Sequence, residues 1–386
     1  MENRKSSLES LVKMSSQETF ENIFSGKTVF ITGHTGFIGT WTSLWLKSLG
    51  ANVVGYSIDI PTKPSMFEII ELKNYVTDII GDINNLKKLQ KSIDEFKPSF
   101  VFHLAAQPLV RVSYEKPIDT LQTNIMGTAN LLESIRHASS VKSCVILTSD
   151  KCYKNIEKNH AYKEDDRLGG YDPYSSSKAG MELIISSYRN SFFTSQKEES
   201  KAGIASVRAG NVIGGGDWGE DRLIPDCVKS LISRKKILIR NPDYVRPFQY
   251  ILEPVSGILK LAQKMWKDPE NFSTSWNMGP KNSKDKIQVK HLVDSILKQW
   301  GNGEWEDVSN LNSGLKHEAK FLMLDSTKAK KLLNWKTILS IQEAISETVS
   351  WYSAFIDKKL DMNKFTLSQI ENFSKKLKQP HTTNVK

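Results

Sequence analysis

A short apolar strand that runs straight into a glycine-spaced turn and then into a helix admits few folds. The stretch from Lys27 to Thr32 (KTVFIT) carries the first strong β signal, Gly33-His34-Thr35-Gly36-Phe37-Ile38-Gly39 follows it directly, and helix-like apolar spacing runs from Trp41 to Leu49. Glycine suits such a turn because the backbone must bend tightly, approach a pyrophosphate closely and let the helix pack on the sheet with its N-terminus facing the phosphates. The spacing is Gly-x-x-Gly-x-x-Gly, and a purely structural turn could use the same residues. Its place between the first strand and the first helix points to a dinucleotide, with Gly33, Thr35, Gly36, Phe37, Ile38 and Gly39 as the cradle.

The chain then alternates apolar runs with helical patterns. Strands are expected at 52–57, 76–80, 99–104, 143–149 and 203–207, and helices over 41–49, 86–96 and 124–138. That alternation means βαβ units, so the expected fold is α/β, a Rossmann-type doubly wound parallel sheet. Beyond about residue 200 the regularity weakens, which reads as a smaller C-terminal substrate-binding lobe. The expected organisation is an N-terminal extension (1–26), a dinucleotide-binding domain (27–200), a lobe over 201–370 that returns one strand to the sheet, and a basic tail (371–386).

Composition narrows the function. Lys and Arg number 53 against 43 Asp and Glu, a net charge of +10. Seven lysines between 351 and 386 face only Asp357, Asp361 and Glu371, so the tail supplies +4 of that excess. The remainder is spread thinly, and no nucleic-acid partner is expected. No stretch approaches the ~18 apolar residues of a membrane span, so no membrane partner is expected and the location is read as cytoplasmic. Cys144, Cys152 and Cys227 form no Cys-x-x-Cys pair, which suits a reducing compartment without disulfides and predicts no metal site.

Two groups of residues carry chemistry. At the end of the second strand Ser57 stands where an acid for the adenosine ribose is expected, with Asp59 two residues on. NAD is favoured because no Arg follows to hold a 2′-phosphate, and Lys63 keeps NADP as the alternative. Asp82, beside Ile83, could reach the adenine or could simply be a turn aspartate. Tyr174 and Lys178 are four apart, hence on one helix face, where an ammonium can favour the phenolate of a group whose ordinary pKa is ~10. The motif alone is weak; Ser149 in Thr148-Ser149-Asp150-Lys151 at the end of the fifth strand supplies the hydroxyl that makes it a catalytic set.

These residues, with Leu104-Ala105-Ala106-Gln107 and Asn124, resemble the extended short-chain dehydrogenase/reductases. Gln107-Pro108-Leu109-Val110-Arg111, Ser149-Asp150-Lys151-Cys152-Tyr153, Leu168 to Tyr174, Gly214-Gly215-Gly216-Asp217-Trp218 and Arg246-Pro247-Phe248-Gln249 are similar to the CDP-glucose 4,6-dehydratase family within it. The likeness runs from about residue 22 to the segment 366–370. Ser149 stands where that family usually has Thr, and Phe248 and Tyr250 where it has Trp and His.

The resemblance implies NAD as cofactor, CDP-glucose as substrate and a homodimer through the helices holding 124–135 and 174–188. It implies cofactor contacts at Leu104, Ala105, Ala106, Tyr174 and Lys178, and substrate contacts at Gln107 and Arg111. Arg246 and Arg240 offer paired guanidinium donors to a pyrophosphate, Arg246 the better candidate because Arg240 could equally be a surface charge, and Asn211 could donate to the same phosphates or be a buried structural amide. The resemblance further implies proton acceptance by Tyr174, orientation by Ser149, and elimination by Asp150 and Lys151. A 4-epimerase or 4-reductase would share Ser149, Tyr174 and Lys178 but has no elimination to catalyse. A non-catalytic dinucleotide-binding protein is the reading from another class.

Overall fold

A computed structural model describes residues 19–193, 202–280, 287–311 and 321–378. Seven strands form one sheet: β1 (Thr28–Thr32), β2 (Asn52–Ser57), β3 (Thr77–Ile80), β4 (Phe100–His103), β5 (Ser143–Leu147), β6 (Gly203–Ala209) and β7 (Ser275–Met278). Their order is β7-β6-β5-β4-β1-β2-β3, and every pairing is parallel. The doubly wound sheet expected from the alternation is therefore present, with strand ends within two residues of those read from the apolar runs. The seventh strand is contributed by the second half of the chain, against β6.

The pleat sends successive side chains to opposite faces. Val29 and Ile31 of β1 enter one core while Phe30 enters the other. On the Phe30 side lie α2 (Leu86–Phe96), α3 (Gly127–Arg136) and α4 (Pro173–Phe192), through Leu89, Leu131, Ile135, Met181 and Ile185. On the other side α1 (Phe37–Ser48) buries Trp41, Leu44 and Trp45. That core is continuous with Trp276, Trp351 and Tyr352, so both halves of the chain share it.

The second half adds α5 (Leu223–Ile232), α6 (Leu252–Lys267), α7 (Ile341–Asp357), α8 (Met362–Lys378) and three two-stranded pairs. A capping box between Ser340 and Glu343 starts α7. In α8 Phe373 packs edge-on against Trp45 at 5.9 Å, so the chain beyond residue 371 is helical to Lys378 and returns to the first helix. Ahead of β1, Phe20 and Phe24 are buried against Trp45 and Phe100. All three cysteines are free and buried.

Candidate active site

The sheet order splits between β1 and β4, so the loops leaving these strands diverge and open a crevice at their carboxyl ends. The glycine loop sits there. Gly33 has φ +76°, and a Cβ on it would stand 2.6 Å from the Ala105 nitrogen; one on Gly39 would stand 2.0 Å from the Gly33 carbonyl oxygen. Gly36 caps the twelve-residue helix α1, with no side chain over its first amides. A helix N-terminus left bare by glycine, at the sheet's switch point, fits a dinucleotide pyrophosphate.

Behind the loop His34 is fully buried, its Nδ1 2.8 Å from the Ser57 hydroxyl and its Nε2 3.0 Å from Asp78. The Thr35 amide donates to Ser57 Oγ at 3.4 Å and its hydroxyl to the Asp59 carbonyl at 2.6 Å. Thus Ser57, Asp59, Thr35 and the glycines come together as expected, while His34 and Asp78 were not foreseen. Asp82 Oδ1 accepts from the Asn84 amide at 2.8 Å, which is the turn-aspartate arrangement, and Ile83 is buried.

After β4, Leu104, Ala105 and Ala106 line the opposite wall, half-buried. Asn124 fastens this segment: its Oδ1 accepts from the Gln107 amide at 2.8 Å, and its Nδ2 donates to the Gln107 carbonyl and to Ser177 Oγ. The Gln107 side chain is engaged by Leu109 and Thr120.

The catalytic candidates converge between β5 and α4. Asp172 caps α4, accepting from the Ser175 amide at 2.9 Å, and Pro173 occupies the first turn, so Tyr174 and Lys178 emerge near the helix start on one face. The Lys178 ammonium lies 6.0 Å from the Tyr174 ring centre. Burial pushes Tyr174 up to about 12, against a hydrogen bond to Ser149 and the Arg222 guanidinium, which pull it down. Burial pushes Lys178 down to about 8, against Cys152 and Glu182.

Ser149 begins a short 3-10 turn (Asp150–Cys152), accepting from the Lys151 amide at 3.1 Å and donating to Asp150 Oδ1 at 3.1 Å. Asp150 is buried, and its Oδ2 has no hydrogen-bond partner among the described residues. Burial pushes its carboxyl up to about 6, against Lys151, Ser149 and Arg246. A buried carboxyl with a free oxygen and a pKa raised to about 6 can exchange a proton near neutrality. Lys151 is half-buried beside it.

The substrate candidates divide. Arg246 is buried, stacks over Tyr244 at 5.1 Å, acts on Asp150, and lines a cavity of about 520 Å³ with Pro247 and Lys330. Arg111 and Arg240 meet on one carboxylate, Asp221, at 3.0 and 3.3 Å. Asn211 is half-buried between β6 and the strand Val212–Ile213, its carbonyl accepting from Gln249. Arg222, at the start of α5, was not foreseen: it pairs with buried Asp217 at 3.1 Å and acts on Tyr174. Asp217, five residues away, stood within the Gly214 to Trp218 motif, but Tyr174 is supplied by a distant part of the chain, so Arg222 itself carried no signal.

The GDP-mannose 4,6 dehydratase family model matches residues 30–348. The chain belongs to that family. It is 48% identical over 339 residues to CDP-glucose 4,6-dehydratase of Salmonella typhimurium, covering 87% of this chain and 93% of that one. It is 27% identical to UDP-glucuronate 4-epimerase of Thermodesulfobacterium geofontis over 83% and 94% of the two chains. In fold it resembles dTDP-glucose 4,6-dehydratase of Bacillus anthracis, solved in complex with NAD, with a TM-score of 0.70, 21% identity, and 85% and 97% of the chains covered. As a member of this dehydratase family, the chain is a nucleotide-sugar enzyme built on the parallel sheet described above.

Proposed function

We propose that the chain converts CDP-glucose to CDP-4-dehydro-6-deoxyglucose and water, with NAD recycled within each turnover. The observation that carries this reading is Asp150, buried with a raised pKa and a free oxygen, next to Ser149 and close enough to act on Tyr174. A 4-epimerase has no use for such an acid. Identity of 48% to the Salmonella dehydratase supports the same choice and the CDP-glucose substrate.

When bound, the dinucleotide would supply hydride-transfer chemistry, as an acceptor toward C4 when oxidised and a donor toward C6 when reduced, and its oxidised form would add a positive charge to the site. Gly33, Gly36 and Gly39 admit its pyrophosphate to the start of α1, Thr35, Phe37 and Ile38 frame it, and Ser57, Asp59, Asp82 and Ile83 border the adenosine. Leu104, Ala105 and Ala106 wall its nicotinamide end, where Lys178 holds the ribose. Tyr174 accepts the 4-hydroxyl proton, and Ser149 orients that oxygen. Because burial raises Tyr174 to about 12, this transfer depends on the charges assembled around it.

Once C4 is a ketone, the C5 proton is acidic. Lys151 removes it while Asp150 protonates the departing 6-hydroxyl. Arg246 holds the substrate pyrophosphate, with Asn211, Gln107, Arg111 and Arg240 around the nucleotide.

We read the protein as a cytoplasmic homodimer. Met126 and Leu183, 54% and 62% exposed, are apolar residues on the Gln122–Arg136 and α4 helical segments that a second copy could cover. No helix among the described residues is long and apolar enough to cross a membrane.

The test is incubation with CDP-glucose and NAD, in parallel with UDP-, dTDP- and GDP-glucose, scoring the 4-keto product. CDP-glucose should be turned over fastest, and Tyr174→Phe should abolish product while leaving both ligands bound within about tenfold. An epimerised sugar, or near-normal product from Tyr174→Phe, overturns the assignment. A monomeric mass by light scattering overturns the dimer.

A further inference from the structure

Directly behind the catalytic face lies a carboxylate that the reaction scheme does not use. Glu182 follows Lys178 by one turn of α4 and is buried. Its Oε1 accepts from the Thr148 hydroxyl at 2.5 Å, and its Oε2 from the Ser206 hydroxyl at 2.9 Å and from Arg208 Nη2 at 2.7 Å. Arg208 Nη1 reaches on to the Tyr153 hydroxyl at 2.8 Å and the Glu164 carbonyl at 2.9 Å, and Tyr153 donates to Asn277 at 2.7 Å. One carboxylate thus ties α4 to the end of β5, where Ser149 follows Thr148, to β6, and through Arg208 and Tyr153 to β7.

A buried ion pair is weak evidence for stability, since well-packed apolar residues often serve as well. Its place beside Lys178 supplies another reason for it. The groups that act on Lys178 or are acted on by it are Tyr174 and Glu182 on α4, His103 on β4, and Cys152 on the 3-10 turn. Burial and Lys178 push His103 down to about 3, burial lifts the Cys152 thiol well above its usual range, and burial holds Tyr174 protonated until the charge of a bound oxidised dinucleotide would favour its phenolate. Before the dinucleotide binds, those three are neutral at pH 7. Burial alone would raise Glu182, but Arg208 together with the Thr148 and Ser206 hydroxyls more than offsets it, so Glu182 is the anion in this group.

We propose that Glu182 is a positioning residue of the catalytic site, the anion that keeps the Lys178 ammonium charged away from water, with Arg208 as the clamp that keeps Glu182 ionised and in place. The inference rests on the reading of Lys178 given above. It makes the pair part of the reaction rather than a brace for the sheet.

The experiment is single-turnover reduction of the dinucleotide by CDP-glucose across pH, followed by absorbance. Wild type should lose rate as Lys178 deprotonates at about pH 8. Glu182→Gln should move that alkaline limb toward acid by about one pH unit or more, with the rate at low pH recovering to within about threefold of wild type. Glu182→Asp, which keeps the charge, should hold the limb in place.

Because Glu182→Gln leaves Arg208 buried without its counter-charge, the double variant Glu182→Gln/Arg208→Met, which restores a neutral core, should show the same displacement. A limb at the wild-type pH in both folded variants, or a uniform loss of rate at every pH, overturns the inference. Lys178→Met separates the two readings: loss of the limb keeps the role of Lys178, whereas its persistence shows that this role, on which the inference stands, was wrong.

Discussion

The two walls of the crevice are built on different physics. The cofactor wall, made by β1 to β3 and the glycine loop, relies on shape: missing side chains let backbone approach backbone, and the buried His34 is pushed toward its neutral form chiefly by burial. The catalytic wall, made by β5, β6 and α4, relies on charge, with Asp150, Lys178, Glu182 and Arg208 all buried and the last two paired with each other. Shape is lost all at once and at every pH. Charge fails by degrees, and pH reveals it.

On the cofactor wall the largest effect should come from Gly33→Ala, because a side chain at φ +76° would be strained and its Cβ would meet the Ala105 backbone at 2.6 Å. Calorimetric affinity for NAD should fall by about 100-fold or more, equally at pH 6 and pH 8. A variant that binds NAD normally would break the contrast, since it would show the cradle to be dispensable.

Next is Arg208→Met, which strands Glu182 without its partner. Denaturant unfolding should show a loss of about 3 to 5 kcal/mol. A smaller loss would show that Thr148 and Ser206 satisfy the carboxylate by themselves.

Asp150→Asn should still reduce the cofactor with CDP-glucose and then stall, lowering product formation by about 10²-fold or more. Failure to reduce the cofactor while both ligands bind would move Asp150 to the oxidation step and redraw the catalytic wall.

Glu253 sharpens the comparison from a third place. It is as buried as Glu182, yet among the described residues its Oε1 is met only by the Ile338 and Leu339 amides at 2.9 and 2.8 Å, and burial pushes its carboxyl up to about 8. A folded pKa above the unfolded one contributes stability that is full below the unfolded value, ~4.3, and is lost as pH rises through the folded value. Wild type should therefore lose Tm between pH 5 and about pH 8, and Glu253→Gln should flatten that decline. An unchanged slope would show that backbone donors suffice to hold the charge.

The smallest effect is expected for Arg240→Ala. Its pairing with half-exposed Asp221 is shared with Arg111, so stability should change by less than about 1 kcal/mol.

The glycine loop, the Asp172 cap with Pro173, and the Tyr174 and Lys178 spacing were legible because each is a local pattern whose geometry follows from neighbouring residues. The strands were legible for the same reason, since apolar runs of the right length have one use in an alternating chain. Arg222 and Arg208 were not: Asp217 is five residues from Arg222, but Tyr174, Glu182 and Tyr153 are supplied by other elements. Glu182 did carry a signal, the four-residue step after Lys178, but a carboxylate there reads equally well as an exposed helix pair until burial is known. Gln107 and Asn124 show the reverse: the motif was visible, and only the structure showed them gripping each other.

What the sequence by itself determined is the parallel sheet and the glycine loop at which a dinucleotide must sit, because periodicity, glycine spacing and helix caps act over a few residues. The tertiary structure decided which buried groups are charged. Asp150 near pH 6, Lys178 near pH 8 and a Glu253 carboxyl near pH 8 share ordinary side chains with the rest of the chain. Their ionisation is set by how far water is excluded and which opposite charge is within reach, and both depend on residues that meet only when the chain is folded.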